Sequence, residues 1–238
     1  MDQGWQILKI RGIPIRVHPS WFVILVLATS AFAQQFAERA NPSATASLPV
    51  TWQWGLGLIT ALLLFLSVLL HELGHSLVAL AQGVKVSSIT LFLMGGVAKV
   101  ERECSSPWGA LGVAIAGPAV SLALGLALLT SIPTANQVSP YLGAMVRELG
   151  GLNLILGLFN LLPGLPLDGG LVVKALVWQI SGSHRRGVEV ANTCGRFLAL
   201  MAIGLGAVVL LRGAGLSGAW LMLLGWFGLG AARNRSEE

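Results

Sequence analysis

Leu62-Leu63-Leu64-Phe65-Leu66-Ser67-Val68-Leu69-Leu70-His71-Glu72-Leu73-Gly74-His75-Ser76-Leu77-Val78-Ala79-Leu80-Ala81 joins two signals that seldom share a segment. The apolar run, which begins near Trp54, is long enough to cross about 30 Å of hydrocarbon as a helix. Inside it lies HExxH, whose two imidazoles at i and i+4 share one helix face and can bind one metal ion. Glu72 sits about 100° around the helix from His71, beside such a metal rather than on it. From there its carboxylate can take a proton from a water acidified by zinc, the chemistry that peptide-bond hydrolysis requires. A purely structural cluster is the competing account, but a carboxylate at the centre of a span costs roughly 2.5–3.5 kcal/mol and is functional by default.

The rest of the chain fits lipid as the solvent. Of its 238 residues, 55% are hydrophobic and 11% charged, against about 25% charged in a soluble domain. Net charge +5 does not indicate nucleic acid, because the basic residues are dispersed in short connections. Cys104 and Cys194 are isolated thiols, which excludes a disulfide framework and a cysteine zinc site.

Six apolar stretches are expected to span: Trp21 to Phe36, Trp54 to Ala81, Trp108 to Ile132, Gly151 to Ile180, Phe197 to Leu211 and Leu216 to Ala232. Twelve Lys and Arg then fall on one face, and only Arg39, Arg147 and Arg212 on the other. That bias predicts an integral multi-pass protein with both termini cytoplasmic. The fold expected is all-α and polytopic, with a membrane-associated β-hairpin between helices 2 and 3 and a broken helix 4. The hairpin is read from Val86 to Val100, turning at Gly95-Gly96. The break is Pro163-Gly164-Leu165-Pro166-Leu167-Asp168-Gly169-Gly170, and non-helical backbone at membrane depth lines a cavity.

A catalytic zinc needs a third protein ligand and an open position. The chain has two aspartates, Asp2 in the terminus and Asp168 in the break. Asp168 before Gly169 also reads as a turn residue. Its depth, 17 residues into its span as His71 is 17 from Trp54, favours a ligand.

With these residues in view, the sequence resembles the site-2 protease family, the M50 intramembrane zinc metalloproteases. The motifs that carry the resemblance are His71 to His75, Leu91-Phe92-Leu93-Met94-Gly95-Gly96, Ala116-Gly117-Pro118-Ala119, and Asn160-Leu161-Leu162-Pro163 through Asp168-Gly169. It implies one catalytic Zn²⁺ on His71, His75 and Asp168, with Glu72 as catalytic base and Asn160 donating a hydrogen bond to the carbonyl or its oxyanion. It also implies regulated intramembrane proteolysis of membrane-anchored regulators, such as anti-sigma factors or membrane-tethered transcription factors, in a prokaryotic inner or equivalent membrane. Arg11 to Phe22 resembles the subgroup that often carries C-terminal CBS domains. Residues 1–238 are nonetheless expected to form a single metalloprotease domain without a PDZ or CBS domain.

Leu91, Phe92, Leu93, Met94, Gly95 and Gly96 are expected to bind substrate, because an unwound peptide in hydrocarbon needs partners for its amides and an open strand edge supplies them. His18 is a candidate gating or metal-supporting residue, set against a plainly structural interfacial histidine. His184 is expected to be solvated in a connection, and Cys104 to be a small packing residue. Two other functions compete: an inactive zinc-binding scaffold that holds transmembrane helices, and a metal or proton transporter. The transporter is disfavoured because spans one, three, five and six contain no acid.

Overall fold

The structure, a computed structural model, describes residues 4–39, 48–93 and 95–234. Asp2, Met94 and Arg235 lie outside the described residues. The chain forms two compact units, Met1–Arg102 with Ala119–Gly157, and Glu103–Pro118 with Leu158–Glu238.

In the first unit, α1 (Trp21–Arg39) packs on α2 (Val50–Ala81). The contact is close because Gly57 lacks a side chain: a Cβ there would stand 2.6 Å from the Thr29 carbonyl and 2.9 Å from the Ala33 amide. Small residues let backbones approach in this way where lipid supplies no hydrophobic drive between helices. Phe32, Phe36 and Ala61 are the centre of the core, and Tyr141, Ala144, Met145 and Leu152 of α5 (Pro140–Asn160) pack against it. The polarity of α2 is inverted relative to a soluble helix. Thr60, Ser67, His71 and Ser76 are buried, whereas Leu58, Leu62, Leu66, Leu70 and Leu77 are exposed. Outward leucine and inward hydroxyl or imidazole is stable only if the surroundings are apolar.

The expected hairpin is part of a larger sheet, ordered β1-β2-β3-β4. Strands β1 (Trp5–Ile10) and β2 (Ile13–Val17) are antiparallel, joined through Arg11 at φ 46° and Gly12 at φ 90°. Two residues of positive φ match the two-residue turn that a right-twisted hairpin favours. β2 then pairs in parallel with β3 (Val86–Phe92), Ile15 opposite Ile89 and Val17 opposite Leu91. β4 (Gly95–Val100) closes the sheet antiparallel to β3.

Two expectations are corrected here. Gly95 and Gly96 open β4 and face Phe92 and Leu91 across the ladder, so they are strand residues and not the turn. Leu91 is paired on both sides, with Val17 and with Gly96, so β3 has no open edge. Among the described residues only β1 and β4 border the sheet.

Five described helices are long and apolar enough to cross a membrane: Trp21–Glu38, Val50–Ala81, Pro107–Thr130 (α3), Pro140–Asn160 and His184–Leu211 (α7). A shorter apolar helix covers Gly215–Gly230 within α8 (Gly215–Asn234). The fourth expected span is resolved differently. α5 begins at Pro140, so Arg147 and Glu148 lie inside it, as long polar side chains can when their heads reach the interface. After Asn160 the chain turns and α6 (Asp168–Ser181) starts as a separate helix of 14 residues. The fifth span likewise starts earlier than Phe197, at His184, directly after the N-cap Ser183. Among the described residues the one remaining helix is the seven-residue α4 (Ile132–Val138).

In the second unit, α7 and α8 form a close pair in which a Cβ on Gly218 would stand 2.6 Å from the Gly206 carbonyl. α6 is held by a polar cluster: buried Lys174 Nζ donates to Glu103 Oε1 at 2.8 Å, and His184 Nε2 lies 2.7 Å from Glu103 Oε2. His184 is therefore partnered rather than simply solvated. Burial pushes the Glu103 carboxyl up, but the hydrogen bonds and charges of Lys174 and His184 outweigh it and hold Glu103 below its ordinary value. The same burial, with the Glu103 charge beside it, raises the Cys104 thiol against the opposing effect of Lys174, which suits an inert packing residue.

A carboxylate lowered in the folded state contributes stability that is complete above its unfolded value and lost as pH falls through the folded one. Thermal melts in detergent should therefore show an acid-side loss that Glu103→Gln flattens. At neutral pH that variant should cost about 1 kcal/mol, a modest figure because the carboxyl is largely exposed. Melts of the variant that match wild type at neutral and acid pH would show the pair to be idle.

Candidate active site

The first unit supplies the histidine pair and the carboxylate. His71 and His75 stand one turn apart on α2, and their Nε2 atoms are 3.3 Å apart. Two imidazole nitrogens at that distance either share one proton or direct two lone pairs at a common cation. Tetrahedral zinc holds nitrogen ligands at about 2.0–2.1 Å, which separates them by about 3.3–3.4 Å. The pair therefore fits the metal without rearrangement. On the far side of the ring, His71 Nδ1 lies 2.9 Å from Ser121 Oγ, both residues being buried.

Glu72 is half-buried on α2. β4 passes directly over it: a Cβ on Gly96 would stand 2.6 Å from Glu72 Cγ and 3.4 Å from Oε1. Glycine at 96 is thus what allows the strand and the carboxylate to occupy adjacent space, and it sets the edge strand of the sheet beside Glu72.

In the same unit, His18 Nδ1 is 2.8 Å from Ser20 Oγ, and its backbone amide donates to the Leu91 carbonyl. Ser20 Oγ also accepts from the amide of exposed Leu93. These contacts place His18 in the junction between β2 and α1, with Ser20 tied to the end of β3. Leu91 is buried and Phe92 half-buried in β3, while Gly95 and Gly96 are half-buried in β4.

Asn160 and Asp168 belong to the second unit. Asn160 is the last residue of α5 and Asp168 the first of α6, and both are half-buried. The glycines after Asp168 are needed for space, because a Cβ on Gly169 would collide with the Leu161 and Leu162 carbonyls and one on Gly170 with Gly164 and Leu165. Asp168 at a helix N-terminus also faces the favourable end of the helix dipole.

Residues 59–142 and 131–202 match the model of Peptidase family M50. The chain belongs to this family.

Relatives of this M50 chain agree. It is 48% identical over 227 residues to sll0528 of Synechocystis sp., covering 95% of this chain and 58% of that protein. It is 40% identical over 232 residues to Rip3 of Mycobacterium tuberculosis, covering 97% and 58%. Both carry zinc metalloprotease in their names, and the chain thus spans rather more than half the length of these relatives. The solved Site-2 Protease from Methanocaldococcus jannaschii is similar to it at TM-score 0.61 and 31% identity, over 97% of this chain and 94% of that one.

Two features of the M50 site escaped the sequence. Ser121 is a hydroxyl in the middle of the apolar third span, ahead of Thr130 and Ser131 at its end, and the cost of burying it there was the available signal. β2 was signalled by Ile13, Ile15 and Val17 alternating behind the Arg11-Gly12 turn, a pattern that Pro14 obscured.

Proposed function

We propose that this chain is an intramembrane zinc endopeptidase that hydrolyses a peptide bond in or near the transmembrane segment of a membrane-anchored regulatory protein, such as an anti-sigma factor or a membrane-tethered transcription factor. The observation that carries it is the convergence of the His71 and His75 Nε2 atoms at 3.3 Å with Glu72 next along the same lipid-embedded helix. His71, His75 and Asp168 would hold the ion, a set of two imidazoles and one carboxylate that is a known catalytic zinc donor set. When bound, zinc supplies a Lewis acid that acidifies water and polarises a carbonyl. The Glu72 carboxylate accepts the proton of the attacking water and returns it to the leaving amine. The Asn160 side-chain amide donates to the oxygen on which negative charge develops, where a single oriented donor is worth several kcal/mol.

The substrate arrives as a helix and must be unwound. Its strand is added to β4 at Gly95 and Gly96, of which Gly96 lies beside Glu72, with Leu91, Phe92 and Leu93 forming the preceding part of the clamp. His18 and Ser20 steady that end of the hairpin. Both termini face the cytoplasm, as the basic residues indicate.

The test is cleavage of a transmembrane peptide by the detergent-purified protein with and without a chelator. Metal-dependent products, mapped by mass spectrometry, are expected. Binding of the peptide with no cleavage in metal-replete protein would convert the assignment to a scaffold. Asp168→Ala should weaken zinc retention by more than the ~10–100-fold typical of losing a ligand's supporting partner. Unchanged zinc affinity in a chelator competition would remove Asp168 from the ligand set.

A further inference from the structure

We infer that Ser121 is a positioning residue for the metal centre, accepting the Nδ1–H of His71 and thereby holding its Nε2 lone pair toward the ion. The inference rests on the zinc reading above and extends it to a residue of the third span.

A neutral imidazole carries one proton on two nitrogens, and the hydrogen bond at one nitrogen decides which face of the ring is left to bind metal. The Nε2 of His71 is the atom that meets His75. A metal on Nε2 requires the proton on Nδ1, where Ser121 Oγ stands at 2.9 Å. A serine hydroxyl can donate or accept, and only the accepting orientation is compatible with metal on the opposite nitrogen. A free neutral histidine side chain prefers its proton on Nε2, the wrong nitrogen for this site, so the partner at Nδ1 is needed to hold the proton there. Both residues are almost completely buried, His71 at 4% and Ser121 at 1% exposure, so bulk water is poorly placed to replace the hydroxyl.

A second buried contact lies one turn away on α2 and separates orientation from packing. Asn153 Nδ2 donates to Ser67 Oγ at 3.1 Å, joining α5 to α2 as Ser121 joins α3 to α2, but it touches Ser67 rather than a metal ligand. Loss of Asn153 loosens the helix contact and leaves the His71 ring partner in place.

The experiment is a chelator competition titration of full-length wild type, Ser121→Ala, Asn153→Ala and His71→Ala in detergent, with the absorption spectrum of the cobalt-substituted forms as a second readout. Ser121→Ala removes one oxygen from a helix and retains a good helix former, so it is expected to fold. It should weaken zinc by about 10–100-fold and alter the cobalt ligand-field bands, whereas Asn153→Ala should leave both near wild type even if it lowers thermal stability. If Ser121→Ala holds zinc as tightly as wild type with an unchanged spectrum, the role of Ser121 is refuted. Equal losses in Ser121→Ala and Asn153→Ala would reduce it to helix packing and refute it as well. If wild type itself holds zinc no better than His71→Ala, it is the metal reading that fails.

Discussion

Glu72→Gln should lower hydrolysis of a transmembrane peptide by about 10²–10⁴-fold, the usual contribution of a positioned general base, while metal content stays that of wild type. The amide keeps the size and placement of the carboxylate on α2 and forfeits only the ability to accept a proton. Metal analysis of the same preparation separates this outcome from loss of the site. Turnover within a few-fold of wild type in a zinc-replete variant would show that Glu72 does not move the proton, and the histidine pair would then serve another chemistry.

The second large effect is expected from a residue that carries no chemistry of its own. Gly96→Ala places a methyl group where Glu72 Cγ already stands, 2.6 Å away. Cγ is in the middle of that side chain, so strand or carboxylate must move. A displacement near 1 Å is enough to cost about 10²-fold in rate. The decisive comparison is Gly95→Ala. Gly95 has φ +127° and nothing within 4 Å of its missing Cβ, so substitution there strains the backbone of β4 without touching Glu72. Gly96→Ala should lose kcat with zinc affinity preserved, and by more than Gly95→Ala, whose larger loss should be in stability. Equal kcat in Gly96→Ala and wild type would mean that β4 does not confine the base.

Much of the site was legible because it is local. His71, Glu72 and His75 are brought onto one helix by a spacing of four, and the apolar residues around them mark the solvent of that helix. The break at 161–167 was legible from Pro163, Gly164 and Pro166, since proline and paired glycines end helices wherever they fall. Its consequence was not, because α5 and α6 read as one interrupted span when Arg147 and Glu148 are taken for a connection. The hairpin was found, but not that β2 pairs with β3 and leaves β4 as its open edge.

The sequence by itself determined that the chain lives in lipid, that α2 carries a histidine pair at metal-ligand spacing with an adjacent carboxylate, and that a strand pair follows it. Those features depend on hydropathy and on helical or extended period, which neighbouring residues set among themselves. Only the tertiary structure decided that β2 lies beside β3 and leaves β4 as the edge, that Gly96 rests on Glu72, and that Ser121 faces His71 Nδ1. Each of these joins residues 24 to 74 positions apart, and such contacts are selected by packing of the whole unit, against a loop-closure entropy that no local pattern records.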